Sequence, residues 1–316
     1  MINQTFNSRR LRKALSLSTL TTLCAALHMS TCTNLAVAAV QKPEDKSTKA
    51  ELNKRSEQKT SDKRKEIVSE AVSTLRETQD ALKLLDDGKT KEALAAVERA
   101  TGKLEILLAR DPKVSLVPID VRVMTSDIYG SIDAIKIAKK EAEKALREGR
   151  VQEARSLLMG LTSETVISTT NIPLATYPAA LKKAAKLIDE NKAGEARKIL
   201  QTALDTLVVT DVVVPLPVVS ATINLEKAEE LAKKKSRSEQ ENKELTKRVT
   251  DADTEIKYAQ ELGYGQKADF DSFHKQIEEI KAKTAGGKSG TNLFDQIKTY
   301  IESMTKSSQH KGNSSK

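Results

Sequence analysis

The side chains able to do covalent, acid–base or metal chemistry are few, and their positions limit what they could do. Cys24 and Cys32 both fall within the first forty residues, in a stretch that reads as a removable leader. The chain beyond it therefore has no thiol to act as nucleophile, metal ligand or disulfide partner. Two histidines follow, His274 and His310. His310 lies in a polar tail, and His274 sits in a charged amphipathic stretch beside Phe270 and Phe273, where a solvated surface residue is expected. One structured histidine and no cysteine would leave a zinc site to carboxylates. A Ser-His-Asp arrangement could use only His274, and no nucleophile elbow lies near it. Gly286-Gly287-Lys288-Ser289 looks like the end of a phosphate loop, but Ala282 stands where the motif needs its earlier glycine. No strand precedes it, so a turn is expected. Gly263-Tyr264-Gly265 likewise reads as a helix terminator with an aromatic plug. No catalytic, cofactor-binding or metal-ligating residue is assigned. The expectation is a protein without enzymatic activity and without a cofactor.

Those absences turn attention to the elements themselves, beginning with the leader. Arg9, Arg10, Arg12 and Lys13 precede an apolar run from Ala14 to Leu27, and the segment closes on Ala36-Val37-Ala38-Ala39. A basic cluster, an apolar core and small residues at a cleavage position form the three-part layout of a secretory signal. The core is shorter than the ~20 apolar residues a spanning helix needs, so residues 1–39 are expected to be cleaved near Ala38 or Ala39, leaving no membrane span. Met29-Ser30-Thr31-Cys32 faintly resembles a lipoprotein box, with Thr31 a poor fit before the cysteine. The expected location is the periplasm. Cleavage would remove four of the 53 basic residues and none of the 44 acidic ones, lowering the net charge from +9 to +5. Such a mixed surface, with aromatics at 3% and no Trp, lacks the basic face and stacking residues of a nucleic-acid binder.

Three regions follow. Residues 40–65 are Lys, Glu, Ser, Thr and Gln with little apolar content, and are expected to be a disordered or weakly helical charged linker. Residues 66–231 carry the apolar periodicity of a folded core. Residues 232–306 read as a charged helical extension, and 307–316 as a disordered tail.

The core contains a repeat. Leu146-Arg-Glu-Gly149-Arg-Val-Gln-Glu153-Ala154-Arg-Ser-Leu-Leu158 returns 42 residues later as Ile188-Asp-Glu-Asn191-Lys-Ala-Gly-Glu195-Ala196-Arg-Lys-Ile-Leu200. An earlier copy runs Leu85-Asp-Asp-Gly88-Lys-Thr-Lys-Glu92-Ala93. Each unit fits a helix ended by a left-handed cap, supplied by Gly149 or Asn191, then a returning helix. Ile135, Ala138, Ala142 and Ala145 fall on one face of the first helix in the middle copy, and Ala154, Leu157, Leu158 and Leu161 are expected to face inward from the second. Stacked hairpins of this kind bury a shared core. After the hairpins come Val114–Met124, Thr165–Ile172 and Leu207–Val214, dense in β-branched residues, the latter two running into prolines. They are expected as short strands. The predicted fold is mainly α: repeated helical hairpins forming a bundle, a few short β segments before proline turns, and a charged C-terminal helical extension.

The hairpin pattern, the tract Asp133-Ala-Ile-Lys-Ile-Ala-Lys139 leading to Gly149 and Glu153-Ala154, and the second copy through Asn191 and Glu195-Ala196 resemble the YfdX family of bacterial envelope proteins. The resemblance covers roughly Ile67 to Leu231. It implies a periplasmic, mostly helical protein associated with envelope stress and without established catalysis, and it hands over no catalytic residues. The block from Leu262-Gly-Tyr-Gly265 onward resembles an extension carried by longer members.

Two surfaces are candidates for binding. Leu245, Val249, Ala252, Ile256 and Ala259 alternate steps of four and three, a narrow coiled-coil-like seam. It could join two chains, or dock on the core or on the apolar positions Phe270, Phe273, Ile277, Ile280, Leu293, Phe294, Ile297 and Ile301. Glu229–Lys233, Glu230–Lys234 and Glu239–Lys243 are expected as helix-supporting pairs. Val166, Ile172, Tyr177, Val212 and Leu216 could line a pocket between hairpins and strands, or simply a core. The first functional reading is an interaction protein with protein partners or self-association. The second is a small-molecule-binding protein. With so little histidine, structural change is expected nearer pH 4 to 5 than pH 6 to 8.

Overall fold

A computed structural model describes residues 45–128, 130–285, 293–299 and 301. The leader, the Gly286–Ser289 turn, His310 and the tail lie outside the described residues.

The repeat becomes three antiparallel hairpins, each followed by a strand. The first is α2 (Ser69–Asp86) and α3 (Thr90–Arg110), leading into β1 (Leu116–Ser126). The second is α4 (Ile132–Arg147) and α5 (Val151–Met159), leading into β2 (Glu164–Pro173). The third is α6 (Tyr177–Asp189) and α7 (Ala193–Asp205), leading into β3 (Val208–Pro215). The residues that reverse the chain hold left-handed backbone, with φ of 75° at Gly88, 73° at Gly149 and 56° at Asn191. Glycine and asparagine are the residues that enter this region at least cost.

The strands form one antiparallel sheet in the order β1-β2-β3. Its register slips between Pro118 and Asp120, where proline has no N–H for the ladder. Val123, Ile167 and Val212 lie in one row across the strands, and Met124, Val166 and Val213 in the next. Side chains alternate along a strand, so the two rows face opposite sides. The first side meets Val219 and Ile67 in a small apolar cluster with Val121 and Val214.

The first and third hairpins pair. α3 packs on α6 and α2 on α7, with Ala81, Leu85, Ala93 and Val97 in one core cluster with Ala184, Ile188, Ala196 and Leu200. The alanines let the helices approach closely. Two ion pairs bridge the hairpins, Glu105–Lys182 at 2.6 Å and Asp86–Arg197 at 2.5 Å.

A second core forms from α8 (Leu216–Ala232), α9 (Glu239–Leu262), α10 (Lys267–Thr284) and the helical segment 293–299. Ser238 caps α9 in a reciprocal capping box with Glu241, and Gly263 ends it at φ 81°. The expected pairs Glu229–Lys233 and Glu239–Lys243 form at 2.7 and 2.6 Å. Lys234 instead reaches Glu241 across the α8–α9 turn. Glu229 is buried and also pairs with Lys298, so it ties α8 to segment 293–299 rather than only supporting its own helix.

The expected linker is not a tether. Residues 46–65 form the twenty-residue helix α1 (Lys46–Lys65). Its own apolar content is too low to explain this, since Thr48, Leu52 and Thr60 are its buried residues. Polar partners far away in sequence hold it. Asp45 caps the first turn through the amides of Ser47 and Thr48, at 2.9 and 3.1 Å. Arg55 grips Glu226 of α8 with both Nη atoms, at 3.3 and 2.5 Å.

Candidate functional site

A cavity of about 580 Å³ opens between α1, the β1–β2 part of the sheet, α8 and α9. Thr48, Leu52, Ser56 and Thr60 line it from α1, each a turn or two apart on one face. Val123, Thr125 and Thr165 contribute the sheet wall, Leu216, Ser220 and Asn224 the α8 wall, and Asp251, Thr254 and Glu255 the α9 wall. Across the strands, the Thr125 and Thr165 hydroxyls are 3.0 Å apart.

One end of the cavity is fixed by a buried polar knot. Arg248, on α9, donates from Nη1 to Asn224 Oδ1 at 3.0 Å and to Thr48 Oγ1 at 3.1 Å. Its Nε meets Glu244 at 2.6 Å and its Nη2 meets Asp45 at 3.2 Å. Asn224 Nδ2 donates to the Ser220 carbonyl at 3.1 Å. Burial pulls the Asp45 carboxyl upward, but the Ser47 hydroxyl, the Thr48 amide and the Arg248 guanidinium outweigh it. They hold Asp45 well below the usual carboxylate range.

The chemistry of this lining is hydrogen bonding and charge. Among the described residues, no group of three or more His, Cys, Asp and Glu is placed to hold a metal ion. His274, expected as a solvated surface residue, is partly exposed, with 26% of its side chain open to solvent. Burial of Phe270 and Phe273 draws it in. Its Nδ1 lies 2.7 Å from Asp253 Oδ1 and its ring stands edge-on to Phe273. Burial raises the Asp253 carboxyl, but His274 and Lys257 bring it down to about 2. That cluster joins α10 to α9 and lies outside the cavity lining.

Of the residues expected to line a pocket, Leu216 alone borders this cavity. Ile172 and Tyr177 belong to the core of the paired hairpins. Val166 and Val212 stand on opposite faces of the sheet. The seam is formed as expected, and its faces are covered from within: Leu245, Val249, Ala252, Ile256 and Ala259 share the second core with Val218, Leu225, Phe270, Phe273 and Ile297.

Among the described residues, one open apolar surface is on α4–α5. Its alanines Ala142 and Ala154 are buried, yet Leu146, Val151 and Leu158 around the Gly149 turn are exposed at 50%, 54% and 47%. The corresponding residues of the third hairpin are Ile188, Ala193 and Leu200, and Ile188 and Leu200 are only 5% and 0% exposed. Leu158, expected to face inward, finds no hairpin opposite it among the described residues. The sequence pattern is the same in all copies, so it carried no sign of which hairpin would be left unpaired. In the structure α5 is the shortest of the three returning helices, nine residues against 21 in α3 and 13 in α7. On its other side α4 meets α9, where Lys139 donates to the Glu261 carbonyl at 2.9 Å.

Residues 74–213 match the family model described as YfdX protein, a span that runs from within α2 to within β3 and takes in the α4–α5 hairpin. The chain is similar to a solved structure of Salmonella Typhi YfdX, at 20% identity over 48% of this chain and 93% of that one, with a TM-score of 0.34. No curated protein matches. Helices α8 to α10, α1 and the cavity walls they supply lie outside the matched span. Over residues 74–213, the chain is similar to the YfdX family.

Proposed function

We propose that this protein is a non-enzymatic interaction protein of the bacterial envelope, exported to the periplasm, associated with stress and working by contact with polypeptides. The uncovered apolar tip of α4–α5 carries this reading, because the same repeat positions are buried wherever a second hairpin is present. Apolar residues clustered on an otherwise charged helix pair mark a contact surface. Export is supported by the leader-like residues 1–39, and the stress setting by the family resemblance. The test places photocrosslinking residues at Val151 and Leu158 of the chain from Val40 onward, which keeps every described residue. Adducts with a few defined polypeptides, the chain itself included, are expected, and they should vanish with Leu146→Glu. A complete lack of polypeptide adducts at both sites would remove the reading. Crosslinkers on the α9 seam or at Tyr177 would be silent, since both are buried.

The cavity favours a second reading, the binding of a small polar molecule. Its volume lies within the ~300–1,000 Å³ of ordinary ligand sites, and its hydroxyls, amide and carboxylates suit a hydroxylated or cationic ligand. A thermal-shift screen of such compounds, repeated on Ser56→Trp to fill the space, separates the two. A stabilising compound whose effect Trp abolishes would favour the pocket.

A further inference from the structure

The cavity has a direction as well as a volume. Helices α1 and α9 both pack on α8, and all three are joined at one end, where Arg248 bonds Thr48 and Asn224. From that knot the α1 lining runs from Thr48 to Thr60, about 18 Å at the ~1.5 Å rise of a helix. The α8 lining runs back from Asn224 through Ser220 to Leu216, every fourth residue and so one face of the helix. The Leu216 amide donates to the Ser163 carbonyl beside β2 at 2.9 Å, so the sheet closes the end opposite the knot. A slot of this shape suits an extended chain better than a ring system. Among the described residues, no aromatic side chain lines it to stack on a flat ring.

Charge narrows the choice. The two positive side chains of the lining, Lys49 and Arg64, stand near the ends of the α1 stripe, and Glu57 lies between them. On the opposite wall α9 presents Asp251, which also pairs with Lys247 at 2.7 Å, and Glu255 one turn later. Ser56, Ser220 and Thr254 place a hydroxyl on each of the three helical walls. An ammonium group has three N–H bonds to give and nothing to accept, so carboxylate and hydroxyl oxygens together suit it.

We propose that the cavity binds a linear aliphatic amine carrying two or more ammonium groups, its methylenes along Leu52 and Leu216 and its charges toward Glu57 and Glu255. This rests on the second reading above, that the cavity takes a small polar molecule, and names the class of that molecule. The chain from Val40 onward has a net charge of +5, so a polycation is not drawn to it in general and needs a local site. Because α1 forms one whole wall, a ligand in the slot also holds α1 in place.

The test titrates the chain from Val40 onward with spermidine and with diaminobutane, reading Tm and hydrogen exchange. Spermidine should raise Tm and slow exchange in α1 several-fold, more than diaminobutane does, and a neutral diol of matched length should do neither. Glu255→Gln, which keeps the shape of the side chain, should weaken spermidine about tenfold, the effect of one lost charged hydrogen bond. Glu57→Gln, at an exposed residue, gives the same readout should Glu255→Gln disturb the fold. Ser56→Trp should abolish both effects. Spermidine stabilisation that survives Ser56→Trp, that magnesium reproduces, or that neither Gln variant weakens overturns the proposal. A neutral polyol that stabilises where spermidine does not, with Ser56→Trp abolishing its effect, overturns the amine class while the cavity reading stands. No stabilisation by amine or polyol removes both.

Discussion

The α4–α5 hairpin and the α2–α3/α6–α7 pair are built from one pattern, and the difference that matters most between them is the presence of a neighbour. In the pair, Leu85, Val97, Ile188 and Leu200 are all under a tenth exposed. In the lone hairpin, Leu146 and Leu158 remain half exposed, although helix periodicity, turn residue and alanine positions are equivalent. Amphipathic patterning specifies which face a helix will bury. What covers that face is decided by tertiary pairing, which the pattern of one hairpin does not encode.

The largest test of that contrast is a matched truncation. Leu200→Ala is expected to cost about 2–5 kcal/mol, the range for removing a fully buried leucine. Leu158→Ala should cost less than about 1 kcal/mol, since half of the side chain already meets water. Urea midpoints measured at low protein concentration would compare the two, and equal losses would break the distinction between paired and lone hairpins.

Arg248→Ala is expected to follow at about 2 kcal/mol, because Asp45 and Asn224 lose their buried partner. Hydrogen exchange should show α1 opening first, with α2, α3, α6 and α7 still protected. Loss spreading evenly through the paired hairpins would show that α1 is integral to their core.

Acid should act on the same side of the molecule. Asp45 and Asp253 titrate below their unfolded values, so their stabilisation is present above about pH 4 and is lost as pH falls toward about 2. This places the transition lower than the pH 4 to 5 window expected from unperturbed carboxylates. Circular dichroism against pH, with Asp253→Asn as the control that flattens the curve, measures it. A transition at pH 6 to 7 would contradict the assignment to these carboxylates.

The smallest effect sharpens the comparison further. Gly88→Ala and Gly149→Ala impose the same left-handed strain, about 1 kcal/mol each. At Gly88 the cost should lower global stability, whereas at Gly149 it should appear as faster local exchange around the tip. Asn191→Gly should be nearly neutral.

Much of this architecture was legible in the sequence because it is local. Gly88, Gly149 and Asn191 mark the turns through their own φ preference. The β-branched runs ahead of Pro173 and Pro215 mark strands. The seam on α9 was visible as a seam, from the spacing of Leu245 to Ala259. What escaped is non-local. Helix α1 has too few apolar residues to betray itself, and its anchors, Glu226, Asn224 and Arg248, lie far along the chain. The cavity draws on α1, two strands, α8 and α9, so no short motif contains it. Val166 and Val212 were chosen for apolarity, yet strand register puts them on opposite faces.

The docking of α1 also has a consequence for the order of events in folding. Thr48 meets Asn224 across 176 residues and Arg248 across 200. A chain synthesised from its N-terminus produces α1 before any of these partners exists, and closing so long a loop comes late. The segment must wait as an exposed stretch until α8 and α9 have formed. Its sparing use of apolar side chains suits that interval: a stickier first helix would have every hairpin made after it as a wrong place to bind.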